Sequence, residues 1–458
     1  MTYQSMENAH DSMPLLREKG AVEVVEEGGI DEINGNSTSR RSRKGATLGL
    51  IVLALGAVSA LSAFWGRSSS QSECGLGVRV AETKLAATGS GPAEVRVSAK
   101  AAEARASPRL AELSGKDTET LFEEFGVKFE KSYKDADEKA MRFEIFKRNL
   151  KRIDEKNANS LGAKYDVTMW ADLTQEEFKS YQKYGKISDE AKETARSKAR
   201  SMEKMISEWP CQSCTRFADL EKYIDGDLPT SFDWRDYGAV TKVKNQAYCG
   251  SCWSFSTTGA LEGAWYLANH PLESLSEQQL VACDTSYNQG CNGGWPSLAM
   301  DYISDNGGIV PEEIYPYRKV YMNGHLGDPV CSDVVKEGNY AATLNIEYAI
   351  PEGALSEDDM ARWLILNGPL SVALDAWGMD YYSSGIDMGE YCYPLEIDHA
   401  VLIVGFGEED GVKYWIIKNS WKYLWGEDGY YRLVRGTNAC GIADDVTTVL
   451  IQDATVEK

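Results

Sequence analysis

The most continuous apolar run in this chain lies at 45–66, where no charged residue interrupts it and Phe64-Trp65 close it. A helix of that length crosses a bilayer core of roughly 30 Å. Arg40, Arg41, Arg43 and Lys44 precede the run, whereas Arg67 alone follows at once, a bias that keeps the N-terminus in the cytosol. The pattern predicts a type II transmembrane signal-anchor at 45–66 behind a polar cytosolic tail at 1–44. The alternative is a cleaved signal peptide, because small residues surround Ala60 and Ala63, but a leader of 44 residues is long for one. Residues 67–112 are rich in Ala, Ser, Gly and charge without clear periodicity, and read as a flexible stalk.

A helical period then begins at Leu121-Phe122. Glu138, Arg142, Phe146, Asn149, Ile153 and Asn157 follow at spacings of four, four, three, four and four, which aligns them along one helical stripe. Taken alone, this is an ordinary amphipathic helix. Residues 183–227 are crowded with Lys, Arg, Glu and Ala and read as a solvated helix or frayed linker. A further apolar-periodic run opens at Cys252 and predicts a helix to about Leu267. Length alone suggests about three domains.

Charge narrows the partners. The chain carries a net charge of −22, and from Leu228 onward 33 acidic residues face 13 basic ones. Such a surface argues against nucleic acid as a partner. It repels itself at neutral pH, and partial protonation near about pH 5 relieves this, which is compatible with an acidic organelle. No Gly-rich phosphate loop or metal-ligand cluster stands out, so neither a cofactor nor a metal is expected.

The candidate chemistry centres on Lys244-Asn245-Gln246-Ala247-Tyr248-Cys249-Gly250-Ser251-Cys252-Trp253. A free thiol titrates near about 8.5 and needs a cationic neighbour to ionise. An imidazolium supplies that charge and later donates its proton to a leaving amine. The chain has four histidines, and His399 is the candidate. His10 lies far upstream, His270 precedes Pro271 at a helix end, and His325 lies in a Gly-rich loop. The Asn419 side-chain carbonyl can hold the ring in the required tautomer. The start of a helix at Cys252 further favours a thiolate.

These motifs, in this order, resemble the papain-like cysteine proteases in their cathepsin L-type proenzyme form, over about residues 115–458. Leu228-Pro229-Thr230-Ser231-Phe232-Asp233-Trp234 is similar to the start of the family's mature enzymes, and Trp425-Gly426-Glu427-Asp428-Gly429-Tyr430 to the segment after its asparagine. The resemblance implies an α+β, two-domain fold. A helical domain would carry Cys252, a β-rich domain His399 and Asn419, and a helical inhibitory prodomain would precede them. It implies Cys252 as nucleophile, His399 as its partner, Asn419 as orienting group, Trp421 as a shield and Gln246 as an oxyanion donor beside the Cys252 N–H. Gly293 and Gly294 would pair with extended substrate. Trp295, Pro296, Ala373, Ile397 and Asp445 would bind the second residue before the cut, and Asp398 would also bind substrate. Asp445 sits at that pocket's floor, where it could also pair with Arg or Lys, or is instead a solvated charge next to Asp444. All six stripe residues match the family's prodomain helix motif. In the next prodomain motif only Asp172 is retained, with Asp166, Thr168 and Trp170 standing for Gly, Asn and Phe, so no pH-sensing role carries over. Lys422 stands where the family has glycine.

Composition and charge divide the first part into tail 1–44, signal-anchor 45–66 and stalk 67–112, and the resemblance divides the rest into propeptide and activation linker 113–227 and peptidase 228–458. Seven cysteines lie in the last part, so one stays unpaired, and six allow fifteen pairings. The resemblance selects Cys249–Cys291, Cys283–Cys331 and Cys392–Cys440. Cys211 and Cys214 lack further zinc ligands and read as a local disulfide, and Cys74 remains unpaired. In the tail, Asp11-Ser12-Met13-Pro14-Leu15-Leu16 resembles an acidic-dileucine address read by sorting adaptors, a pattern that also arises by chance. The expectation is a membrane-held zymogen of a thiol endopeptidase, restrained by its own propeptide, acting on proteins and peptides in an endosomal, lysosomal or vacuolar lumen. The rivals are an exopeptidase, for which no cleft-blocking insertion is seen between Cys252 and Gly294, a silent binding module, and a membrane scaffold that never matures.

Overall fold

A computed structural model describes residues 117–185, 211–318 and 331–452, except positions 287, 339, 341–344, 350–355 and 394–395, together with the isolated positions 190, 193 and 197. The anticipated tail, anchor and stalk lie outside the described residues. Among the described residues no helix is long and apolar enough to cross a membrane.

Helix α1 (Thr118–Lys128) is capped by Asp117, and α2 (Ala136–Asn159) by Asp135, whose carboxylate accepts from the Glu138 N–H. Glu138 in turn accepts from the Lys134 N–H, so the first stripe residue closes the N-terminus of its own helix. Phe146, Asn149 and Ile153 are buried, and the rings of Phe122 and Phe125 of α1 pack tilted on Phe146 at 5.3 and 5.1 Å. The anticipated stripe is therefore the packed face of α2. Asn157 ends it by exchanging two hydrogen bonds with the Tyr165 backbone.

Strand β1 (Ala163–Tyr165) follows, then α3 (Gln175–Tyr181), whose capping box joins Thr174 to Glu177. Residues 211–227, anticipated as part of a solvated linker, instead pack down: Leu220 is fully buried, and Cys211 and Cys214 are bonded. Arg362 grips this segment through the carbonyls of Tyr223 and Gly226.

The peptidase portion has a helical half and a sheet half. Helix α4 (Cys252–Leu267) is buried on nearly every face. It packs with α5 (Glu277–Cys283) and α6 (Pro296–Asp305) on the helical side, where Val335 of the short α7 (Asp333–Lys336) packs with Ala282 of α5. Trp253, Leu261, Leu280, Met300 and Ile303 form that core together with Leu402 and Val404 of the sheet. After β2 (Phe232–Asp233) and β3 (Asn345–Ala349), helix α8 (Glu357–Asn367) leads into β4 (Leu370–Leu374) and β5 (Tyr382–Asp387). The remaining strands are β6 (His399–Glu409), β7 (Val412–Lys418), β8 (Tyr430–Val434) and β9 (Val446–Gln452). The strand order is β1-β5-β8-β7-β6-β4-β9-β3, with β2 paired to β6. The pro-segment thus contributes β1 to the peptidase sheet, Ala163 opposite Gly385 in antiparallel register. Disulfides join Cys249 to Cys291, Cys283 to Cys331 and Cys392 to Cys440, the three pairs that the resemblance selects.

Candidate active site

Where α4 meets β6, its first residue and the first residue of β6 converge. Cys252 packs with Ala400, Trp295, Leu298 and Ala373, and the Ala400 backbone is among the groups that hydrogen-bond its sulfur. It is the free cysteine among the described residues. Ser251 gives α4 no side-chain cap, and the Trp253 N–H in the first turn bonds the sulfur. His399, one residue before Ala400, holds Asn419 Oδ1 at 2.9 Å through Nε2. Asn419 directly follows β7, which pairs with β6, so the sheet register itself sets this contact. The Trp421 indole lies over the imidazole at 4.8 Å and 25°. Gln246 is fully buried, donating to the Cys249 carbonyl at 2.9 Å and accepting from Ser420 Oγ at 2.6 Å.

Burial opposes the anticipated ionic pair in this state. Burial pushes the Cys252 thiol up to about 12, against the pull of backbone N–H groups, with Asp398 raising it further. Burial also pushes the His399 imidazole down to about 4, against its bond to Asn419. His399 Nδ1 has no hydrogen-bond partner among the described residues. Burial thus favours the neutral form of both groups, and its source is what covers them.

That cover is the pro-segment. Trp170 and Phe178 set their edges on the outer face of Trp421 at 5.2 and 5.7 Å, and Tyr181 leans on Tyr248 at 5.1 Å. The chain then passes the sulfur at Lys183. At Gly293 (φ +122°) a Cβ would stand 2.3 Å from the Lys183 carbonyl, so only glycine lets the pro-segment pass. Tyr184 donates its N–H to the Asp398 carbonyl at 2.8 Å and bridges Gly294 in parallel sense, and the Gly185 N–H reaches the Gly294 carbonyl at 3.3 Å.

The Tyr184 side chain enters the pocket formed by Trp295, Leu298, Ala373 and Ala400, with Ile397 beside it. Pro296 is buried at the first turn of α6, under Trp295. At the floor, Asp445 receives the Trp295 indole N–H at 2.7 Å and the Tyr184 hydroxyl. Asp445 is thus an inward-facing group, not a solvated tail charge. Burial and this carboxylate hold the Tyr184 phenol well above its ordinary value.

The prodomain departures keep the docking intact. Thr168 Oγ1 donates to the Asp380 carbonyl at 2.5 Å, and the Asp166 N–H to the Tyr381 carbonyl at 2.8 Å. Asp172 pairs with Lys131 at 2.5 Å and accepts from Tyr133 at 3.0 Å. Lys131 also reaches the Tyr248 hydroxyl at 2.8 Å, across the pro–peptidase boundary. Arg142 of the stripe ties α2 to α3 through Glu177 at 2.7 Å.

Sequence reasoning missed three features. Tyr184 lay at the edge of a stretch read as linker. Lys156 looks like one more surface charge of α2, yet it is buried, paired with Asp380 at 2.5 Å and ringed by Tyr165, Tyr381 and Tyr391 at 5.0–5.5 Å. Lys244, half-buried, pairs with two buried carboxylates, Glu262 at 2.9 Å and Glu277 at 2.6 Å. A glutamate inside the otherwise apolar run of α4 was the available signal for that last cluster. No group of three or more His, Cys, Asp or Glu among the described residues is placed to hold a metal ion.

A thiol at a helix N-terminus, an imidazole steered by an amide and a cleft lined for extended chain form the group set of acyl transfer from a peptide. Comparison with known proteins agrees. Residues 228–450 match the model of the papain family cysteine proteases, and residues 122–178 that of the cathepsin propeptide inhibitor domain (I29). Cathepsin F of Drosophila melanogaster is 37% identical over 340 residues, 72% of this chain and half of the length of the fly protein. Cysteine proteinase 15A of Pisum sativum is 39% identical over 348 residues, 73% of this chain and 86% of that protein. The solved structure of digestive procathepsin L 3 from Tenebrio molitor larval midgut, 32% identical, superposes with a TM-score of 0.59 over 73% of this chain and 99% of that one. The chain therefore belongs to the papain family of cysteine proteases, cysteine-type endopeptidase hydrolases, in proenzyme form with an I29 inhibitory propeptide.

Proposed function

We propose that this chain is a membrane-anchored zymogen whose Cys252 and His399 hydrolyse peptide bonds in an acidic endolysosomal or vacuolar lumen once the pro-segment leaves. The observation that carries the reading is the path of residues 183–185, which lie across the cleft with Tyr184 in its deepest pocket. When they withdraw, water reaches both side chains, and the proton can move from sulfur to imidazole. The thiolate attacks the carbonyl carbon, the Cys252 N–H and the Gln246 amide receive the oxyanion, and the imidazolium protonates the departing amine. Water, deprotonated by His399, then releases the acyl group from sulfur. Asn419 and Trp421 keep the ring oriented and dry. Burial of both side chains under the pro-segment keeps the zymogen silent on this reading.

The same pocket supports a preference for apolar or aromatic residues second before the cut, Leu, Phe or Tyr, with Arg or Lys also able to meet Asp445. Anchoring rests on the uncharged run at 45–66 behind its basic flank, and sorting on the dileucine at Leu15 and Leu16. The test is to acidify the full chain in membranes and add a thiol-directed epoxide probe. Labelling that maps to Cys252 and follows loss of the pro-segment is expected. Labelling elsewhere, or none after the pro-segment is gone, ends the protease reading. Protease protection of the two termini in sealed vesicles tests the anchor separately.

A further inference from the structure

Lys422 follows Trp421 at φ +65°, in left-handed backbone that glycine adopts freely and lysine does not. The resemblance places glycine there, so the side chain is retained against a conformational penalty. Its ammonium pairs with Glu130 of the prodomain at 3.1 Å, and Glu130 is itself a non-glycine residue at φ +54°. Two residues in disfavoured backbone thus meet across the pro–peptidase boundary.

Their surroundings identify what Lys422 faces. A cavity of about 390 Å³ separates the prodomain from the peptidase here. Among the described residues, the peptidase side of its wall is Asn245, Ala247, Tyr248, Trp421, Lys422 and Leu424, with Lys422 as the one charged member. The carboxylates that line it, Glu130, Glu138 and Asp172, belong to the prodomain. Removing the prodomain leaves a lone cation on this wall, beside the indole that covers His399. This end of the cleft lies across the sulfur from the Tyr184 pocket. If that pocket takes the second residue before the cut, this end takes the residues after it.

We propose that Lys422 is a specificity-determining residue for the leaving-group side of the substrate, drawing Glu or Asp into the first positions after the scissile bond. Glu130 is the zymogen's stand-in for that substrate carboxylate. The inference rests on the protease reading of the site. An exposed pair of this kind changes a rate constant by about threefold to fivefold, and salt weakens it.

The test uses the activated enzyme prepared from the full chain. Internally quenched peptides, identical except for Glu, Gln or Lys at the first three positions after the cut, give ratios of kcat/KM. In wild type the Glu peptide exceeds the Lys peptide at least about threefold, and roughly 0.5 M salt shrinks the ratio. Lys422→Gly brings the ratio near unity and Lys422→Glu inverts it. Equal ratios in wild type and Lys422→Glu overturn the proposal. Should Lys422→Glu fail to mature, the wild-type and Lys422→Gly ratios decide by the same criterion. A dipeptidyl coumarin amide carries no residue after the cut, so wild type failing on that substrate sinks the protease reading rather than the role of Lys422.

Discussion

The Tyr184 hydroxyl of the pro-segment donates to the Asp445 carboxylate at the floor of the pocket beside Cys252. The zymogen therefore fills its own pocket with an aromatic side chain ending in a donor. Trp295 supplies a second donor to the same carboxylate at 2.7 Å, so Asp445 is held in place before any ligand arrives.

This contact sets a ranking of substrates. Coumarin amides with Tyr, Phe, Leu or Arg second before the cut should give a higher kcat/KM for Tyr than for Phe in the wild type, by about tenfold. A site built around a polar partner discriminates against the analogue that lacks it. Asp445→Ala should bring Tyr down to Phe and lower Arg, while Leu changes little. An unchanged Tyr-to-Phe ratio in the variant would dismiss Asp445 as a specificity group.

The buried pair at Cys252 and His399 predicts a difference in thiol chemistry between zymogen and activated enzyme. With the thiol pushed up to about 12, roughly one molecule in 100,000 carries a thiolate at pH 7. Alkylation of Cys252 by iodoacetamide should be slow in the intact zymogen and rise steeply with pH. After activation it should be at least about 100-fold faster at pH 6 and nearly flat with pH, the sign of an ion pair. Equal rates in the two forms would show that burial under the pro-segment is not what silences the thiol.

Part of this site was legible before folding because chemistry restricts it to few residue types. Cys252, His399 and Asn419 stand in short contexts, and a chain with four histidines leaves few candidates. The stripe from Glu138 to Asn157 was legible because helical spacing needs no tertiary information. Tyr184 was not, since an aromatic residue in an aperiodic, charged stretch carries no local signal of the pocket it enters. Lys156 was hidden for a different reason. Its neighbours on α2 are charged, so it reads as solvated, and Asp380 lies 224 residues away in sequence. The departures at Asp166, Thr168 and Trp170 set aside a pH-sensing role, yet the segment still docks, because two of its contacts run to backbone carbonyls of the peptidase.

Lys156 should act as a latch. Its ammonium is buried against Asp380, the Gly378 carbonyl at 3.0 Å and three tyrosine rings, one of them on the pro-segment itself. Removing one member of such a pair typically costs roughly 3 kcal/mol, because the other charge stays buried and unpaired. Lys156→Gln should therefore speed conversion of the full chain at a fixed acidic pH by at least about tenfold, measured by loss of the zymogen band. Asp380→Asn should act in the same direction. Conversion of both variants at the wild-type rate would reduce Lys156 to packing.

Three carboxyls, two buried and one half-buried, predict how stability follows pH. Burial pushes Asp284 up to about 7, with Asn288 opposing, and pushes Glu312 up to about 7, with Glu277 adding to the effect. It pushes Asp387 up to about 6. Because these values are raised relative to the unfolded chain, the native state binds the extra protons between about pH 4 and 7. Their contribution is complete below about pH 4 and is lost as pH rises through about 7, which favours the folded enzyme in acid. Asp284 alone accounts for roughly 2–4 kcal/mol on this basis. Asp284→Asn keeps an oxygen acceptor for the Asn288 amide, which bonds Asp284 at 2.5 Å, and removes the titration. Thermal melts of the thiol-blocked active enzyme should show a lower Tm at pH 7.5 than at pH 5 in the wild type. In Asp284→Asn that gap should narrow by several degrees, mainly through a gain at pH 7.5. A wild-type Tm that rises from pH 5 to pH 7.5 would reverse the sign and remove these carboxyls as the source of acid preference.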